Sequence, residues 1–255
     1  MNSPGERRRV LVTGGGRGVG AAIVRVLAEA GHDVTFTYRS AADGAAAVVA
    51  DLVRAHPDRA FAARQVDLAD TAAIDAFIAE IAAHAPYSAF VHNAGQAYDS
   101  LAATVDQAKA EATMQVNFWS FTKLAGALVR TMTGARDGRI VAIGSITALR
   151  ASQGSAAYAA SKAALLAYVR TLAIETARRG VTVNYVAPGF VDTDMMVPYA
   201  AYREKMEQQV PAGRFARPED VAHLVAFLLS GKADYVTGAM LAVDGGLSAA
   251  IGIHR

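Results

Sequence analysis

Apolar positions along the chain follow two alternating periods. Short β-branched runs are each followed by an alanine-rich stretch in which apolar residues recur at helical spacing. The runs predict strands over residues 10–13, 33–38, 60–66, 88–91, 139–143, 181–186 and 240–243. The stretches predict helices over 18–30, 41–55, 71–84, 106–133 (broken once), 156–179 and 218–230, the last with Pro218 in its first turn.

Strand and helix alternating in this way imply a parallel sheet with helices on both faces, because each right-handed crossover carries its helix over the sheet. No linker, low-complexity run or composition break divides the chain, so residues 1–255 are expected to form a single domain. The composition narrows the class further. The chain is 53% hydrophobic, too apolar to be disordered. It has no cysteine, which removes disulfides, thiolate metal sites and a cysteine nucleophile; no metal site is expected. No run of 18 apolar residues occurs and residues 1–9 hold no apolar signal region, so a cytoplasmic protein is expected. A net charge of +2 favours acidic partners only weakly and does not suggest nucleic acid or a membrane surface.

Between the first strand and first helix lies Thr13-Gly-Gly-Gly-Arg-Gly-Val-Gly20. Gly14, Gly16, Gly18 and Gly20, with Arg17 and Val19 between them, permit a tight turn and a close backbone approach to a pyrophosphate, and the helix start adds free N–H groups. With a strand before and a helix after, this is the dinucleotide fingerprint of a Rossmann-type doubly wound α/β fold. The second strand ends Tyr38-Arg39-Ser40, about twenty residues beyond the glycines, where an NAD site carries an acidic residue. None is present; Asp33 stands at the strand's other end. Arg39 and Arg17 suit a 2′-phosphate instead, which points to NADP(H).

Ser145 follows the fifth strand, and Tyr158 and Lys162 share one face of the next helix at i, i+4 spacing. In a doubly wound sheet these positions gather at the carboxyl ends of the strands, beside the glycine turn. Reduction of a carbonyl needs a proton delivered to oxygen. A tyrosine, with an ordinary pKa of about 10, holds one at neutral pH, and a neighbouring ammonium is expected to lower that pKa. A serine hydroxyl suits the oxygen on which charge develops.

Together, Thr13-Gly-x-x-x-Gly-x-Gly20, Asn93-Ala94-Gly95, Asn117, Ser145, Tyr158, Lys162 and Pro188-Gly189 resemble the short-chain dehydrogenase/reductase family over nearly the whole chain. The resemblance implies that Tyr158 is the proton donor, that Ser145 orients the carbonyl, and that Lys162 binds the nicotinamide ribose and tunes Tyr158. It further implies that Asn117 holds a water linking Lys162 to solvent, that Asp67 and Leu68 flank the adenine, and that Asn93 meets the adenosine ribose. Val191 would meet the carboxamide, and Tyr38, Arg39, Ser40, Ala94, Gly95, Pro188, Gly189 and Thr193 would complete the cofactor contacts. His92 departs from the family's usual asparagine and is assigned no role.

The segments 186–195 and 210–215 and the ending from Thr237 to Gly246 resemble 3-oxoacyl-[acyl-carrier-protein] reductases. That likeness implies reduction of a 3-oxoacyl thioester in fatty acid or polyketide-type synthesis. It implies an acyl carrier protein docked by two arginines beside the active site, matching Arg136 and Arg179, and a homotetramer. Ile251 and Ile253 suit burial against a partner. Met195, Met196, Tyr199, Tyr202 and Met206 make residues 192–214 a candidate lid over an acyl chain. Two alternatives stand beside this reading: a reductase of a sugar, steroid or other small ketone, and a non-catalytic NADP-binding regulator.

Overall fold

Seven parallel strands run in the order β3-β2-β1-β4-β5-β6-β7. The structure, a computed structural model, describes residues 7–250. Its strands are β1 (Arg9–Thr13), β2 (Asp33–Tyr38), β3 (Phe61–Gln65), β4 (Ala89–His92), β5 (Gly138–Ile143), β6 (Val181–Pro188) and β7 (Met240–Val243). The main helices are α1 (Gly18–Glu29), α2 (Ala42–Ala55), α3 (Thr71–Ala82), α4 (Gln107–Met114), α5 (Ser120–Ala135), α6 (Ala156–Thr176), α7 (Arg203–Glu207) and α8 (Pro218–Leu229). Every expected element is present.

Alternation along the strands builds two apolar layers, because successive side chains leave a strand on opposite faces. Val10 and Val12 of β1 join α1, α2 and α8 on one face, and Leu11 joins α3, α5 and α6 on the other. The central strands are buried on both sides, which is why they read as continuous apolar runs. The chain order reverses between β1 and β4, and a crevice for ligands opens outside the carboxyl ends of the strands at such a point.

One expected element differs. The helical stretch from Gln107 to Ala135 is not broken; a π-helical turn, Gln115–Trp119, joins α4 to α5. A π turn inserts one extra residue without ending the helix, so the apolar pattern continues through it. Asn117 sits in that turn. The two isoleucines expected at a partner interface, Ile251 and Ile253, lie outside the described residues.

Candidate active site

The glycine turn is shaped by contacts only glycine can make. Gly14 has φ +69° and its carbonyl approaches Gly20 so closely that a Cβ on Gly20 would stand 2.0 Å from it. The Gly14 and Gly15 amides donate to Thr37 of β2, to Oγ1 at 3.3 Å and to the carbonyl at 2.9 Å. From β4, the Asn93 amide donates to the carbonyls of Thr13 and Gly14 at 3.2 and 3.0 Å. Asn93 therefore spends its N–H groups on holding the turn, and only Oδ1 and the main chain remain for the ribose contact expected of it.

A cleft of about 550 Å³ opens from this turn. Every expected cofactor residue lines it: Gly14, Gly16, Arg17, Gly18, Val19, Gly20, Tyr38, Arg39, Ser40, Asp67, Leu68, Asn93, Ala94, Gly95, Pro188, Gly189, Val191 and Thr193, with Tyr158 and Lys162. Asp33 lies at the opposite end of β2, where it accepts from Arg7 and the Ala60 amide. Bare backbone beside a free helix start, with arginines at the tip of β2, fits a dinucleotide's phosphates. Arg17 also reaches across the cleft to Asp194 at 3.7 Å, an exposed pair of little strength.

The catalytic candidates meet at the cleft's inner wall. Ser145 starts the short turn after β5, and its side chain lines the same wall of the cleft as the Tyr158 phenol. Burial pushes the Tyr158 pKa above its ordinary value, the Ser145 hydroxyl works against that rise, and the Asp99 carboxylate adds to it. The Lys162 ammonium is buried, donates to the Ile143 carbonyl at 3.0 Å and stands 5.7 Å from the centre of the Tyr158 ring. Burial brings its own pKa down to about 8.

Asn117 is fully buried and its side chain is spent. It accepts from the Gln96 amide at 2.9 Å and donates to the Gln96 carbonyl at 3.0 Å and to Ser161 Oγ at 2.9 Å. Ser161 in turn donates to the Tyr158 carbonyl at 2.7 Å, so the π turn is tied to α6 at the catalytic residues. A Cβ on Gly95 would lie 3.3 Å from Asn117 Oδ1 and 3.4 Å from Lys162 Nζ, so both border one spot.

His92 is buried at the end of β4 with Nδ1 3.1 Å from Thr13 Oγ1. That hydroxyl already accepts from the Asn93 and Ala94 amides, so its own proton points at Nδ1. Burial, and then the Lys162 charge, hold the imidazole pKa down at about 3.

Two residues the sequence reading passed over belong to the site. Tyr185 of β6 is fully buried beneath Ser145 and reads in the sequence as one more apolar strand residue. Asp99, on the loop after β4, accepts a hydrogen bond from Tyr199 Oη. Tyr199 belongs to the segment expected as a lid, which forms short helical turns over Asp194–Tyr202 and α7, with Met195 and Met196 facing the cleft. Arg203 clamps Asp192 through two bonds of 2.8 and 2.9 Å and lies over the Phe215 ring.

Arg136 and Arg179 are brought together, but not beside this site. Arg136 precedes β5 and Arg179 precedes β6, at the amino ends of strands whose carboxyl ends carry Ser145 and Pro188. Within one chain these arginines therefore stand at the opposite end of the sheet from the cleft.

Comparison with known proteins agrees with this geometry. A family model described as Enoyl-(Acyl carrier protein) reductase matches residues 14–248. The 3-oxoacyl-[acyl-carrier-protein] reductase FabG of Escherichia coli is 36% identical over 95% of this chain and 98% of its own. The reductase MabA of Mycobacterium bovis is 35% identical over 96% of this chain and 94% of its own. A solved short-chain dehydrogenase/reductase from Serratia marcescens superposes with a TM-score of 0.89 at 34% identity, covering 96% of this chain and all of that one. With the glycine turn, the Ser145–Tyr158 pair and Lys162 on one cleft, the chain belongs to the short-chain dehydrogenase/reductase family of nicotinamide-dependent oxidoreductases.

Proposed function

We propose that the protein reduces the ketone of a 3-oxoacyl thioester, carried on an acyl carrier protein, to the 3-hydroxyacyl thioester with NADPH. The observation that carries this reading is that Ser145, Tyr158 and Lys162 line one wall of a cleft whose other half is the glycine turn. When bound, the nicotinamide supplies the hydride to the carbonyl carbon. Tyr158 Oη gives its proton to the carbonyl oxygen, and Ser145 Oγ hydrogen-bonds that oxygen as its charge grows. Lys162, with a pKa of about 8, holds or releases a proton near neutral pH and carries the charge that meets ribose hydroxyls. Asn117, its side chain committed, offers only its main-chain carbonyl to the proton path behind Lys162.

The relatives' names support the substrate class. So do Met195 and Met196, which bring apolar side chains to the cleft from the short helical turns after β6. The preference for NADPH rests on Arg39 and Ser40 at the tip of β2 with no carboxylate beside them. The segment 192–214 serves as the lid, latched by Tyr199 to Asp99. Exposed Trp119 and Ile174 on the helical layer, and the edge strand β7, suit a homotetramer. In that assembly Arg136 and Arg179 dock the acidic carrier for another copy's cleft, since their own lies at the far end of the sheet.

A panel of acetoacetyl thioesters, free and carrier-bound, alongside enoyl thioesters, sugars and steroid ketones, tests the reading with NADPH and NADH. Oxidation of NADPH is expected with 3-oxoacyl thioesters foremost. Exclusive turnover of enoyl, sugar or steroid substrates rejects the substrate class, and no turnover with any carbonyl leaves only a nucleotide-binding role. Arg39→Ala is expected to raise the KM for NADPH about tenfold and leave NADH unchanged.

A further inference from the structure

The hydroxyl of Tyr185 is the one polar atom contributed by the interior of β6 to the catalytic wall. Its Oη accepts from the Ser145 amide at 2.9 Å and lies 3.2 Å from both the Ser145 and the Lys162 carbonyls, to which it donates. One oxygen thus joins the turn that carries Ser145 to the helix that carries Tyr158 and Lys162. Nothing else in β6 reaches both. The ring is fully buried, and Gly144 makes room for it: a Cβ there would fall 1.7 Å from Tyr185 Cζ, inside the ring. A phenylalanine would fill the same space, so apolar packing does not account for the hydroxyl.

We propose that Tyr185 is a positioning residue for the reduction, holding the turn that carries Ser145 at a fixed distance from α6 and so setting where the Ser145 hydroxyl stands relative to Tyr158. Burial pushes the Tyr185 pKa upward, so the phenol stays protonated and serves as donor and acceptor at any working pH. Without it the Ser145 amide loses its buried partner and the turn is free to shift. Shifts of about 1 Å in a catalytic group far exceed what proton transfer tolerates.

This inference rests on Ser145 and Tyr158 acting as proposed, so the test has a readout that needs no substrate. Tyr185→Phe is prepared with tyrosine labelled with ¹³C at Cζ, and the Tyr158 resonance, assigned by Tyr158→Phe, is titrated. Because the Ser145 hydroxyl works to lower the Tyr158 pKa, the titration is expected to move to higher pH in Tyr185→Phe once Ser145 is free to shift away. With the carbonyl substrate that the wild type reduces, kcat is expected to fall at least tenfold while the KM for NADPH stays within twofold. The glycine turn, on another strand, is untouched. Gly144→Ala, which displaces the ring, is expected to reproduce both changes, and it stands in if the phenylalanine variant does not fold. An unmoved Tyr158 titration in the folded variant overturns the proposal whatever turnover does, as does a kcat within twofold of wild type. Absence of wild-type turnover counts against the proposed function alone, since the titration still decides the role of Tyr185.

Discussion

The two ends of the parallel sheet bury charge in opposite ways. At the amino end, Arg8 and Arg139 are almost wholly enclosed and both meet carboxylates, with only Arg139 Nε left without a partner. Arg8 forks onto Asp137 at 2.7 and 3.1 Å and onto the Leu229 carbonyl. Arg139 bonds Asp137 at 3.2 Å, Asp234, and the carbonyl of Gly138. At the carboxyl end, Lys162 is equally enclosed, but among the described residues no carboxylate pairs with it; a carbonyl at 3.0 Å is its partner. The amino end is a bolt across β1, β5 and the loop after α8. The carboxyl end keeps a charge whose proton is easily removed. Buried charge becomes functional where it is left incompletely matched.

The sharpest break in this comparison is Tyr158→Phe. It is expected to lower kcat about 10³-fold, or about 4 kcal/mol, with NADPH binding retained by fluorescence titration. Turnover that survives would remove Tyr158 from the mechanism. At the other end, Asp137→Ala leaves Arg8 with a single carbonyl and is expected to cost about 3 kcal/mol of stability in a denaturant melt. The folded fraction should keep its kcat; a selective loss of kcat would mean that the bolt also shapes the site.

Lys162→Met sharpens the contrast from the stability side. An apolar side chain removes the burial cost of the ammonium, so stability at pH 7 is expected to rise by about 1–3 kcal/mol while turnover collapses. In the wild type, the folded pKa of about 8 lies below the ordinary lysine value. The unfolded chain therefore binds the extra proton, and stability should climb with pH from about 8 to the lysine range; the variant should lack that climb. The smallest effect concerns His92, whose folded pKa is held at about 3 against an ordinary 6.5. Its contribution is complete above the ordinary value and is lost as pH falls toward 3. His92→Asn is expected to flatten the acid side of the stability profile, read by melts in that window.

Much of this molecule is legible without coordinates because its signals are local. Strand and helix periods, the glycine turn and the Tyr158–Lys162 spacing each depend on neighbours in sequence. What was not legible is non-local. The π turn at Asn117 hides inside an unbroken apolar pattern. Tyr185 is indistinguishable in the sequence from the aliphatic residues beside it until Gly144, just after the neighbouring strand β5, gives it space. The i, i+4 spacing puts Lys162 and Tyr158 on one face, but the Ile143 carbonyl from β5 decides where the ammonium points.

The sequence by itself determined the doubly wound parallel sheet, the dinucleotide turn and the chemical types at the cleft, since periodicity and crossover handedness admit few other arrangements. Only the tertiary structure decided which partners those groups have. It set the Ser145 hydroxyl to counter burial at Tyr158. It tied Asn117 by its side chain and set Arg136 and Arg179 at the far end of the sheet. The reason is physical: a pKa and a binding face depend on distances of a few ångströms between segments far apart in the chain, and no spacing along one segment records them.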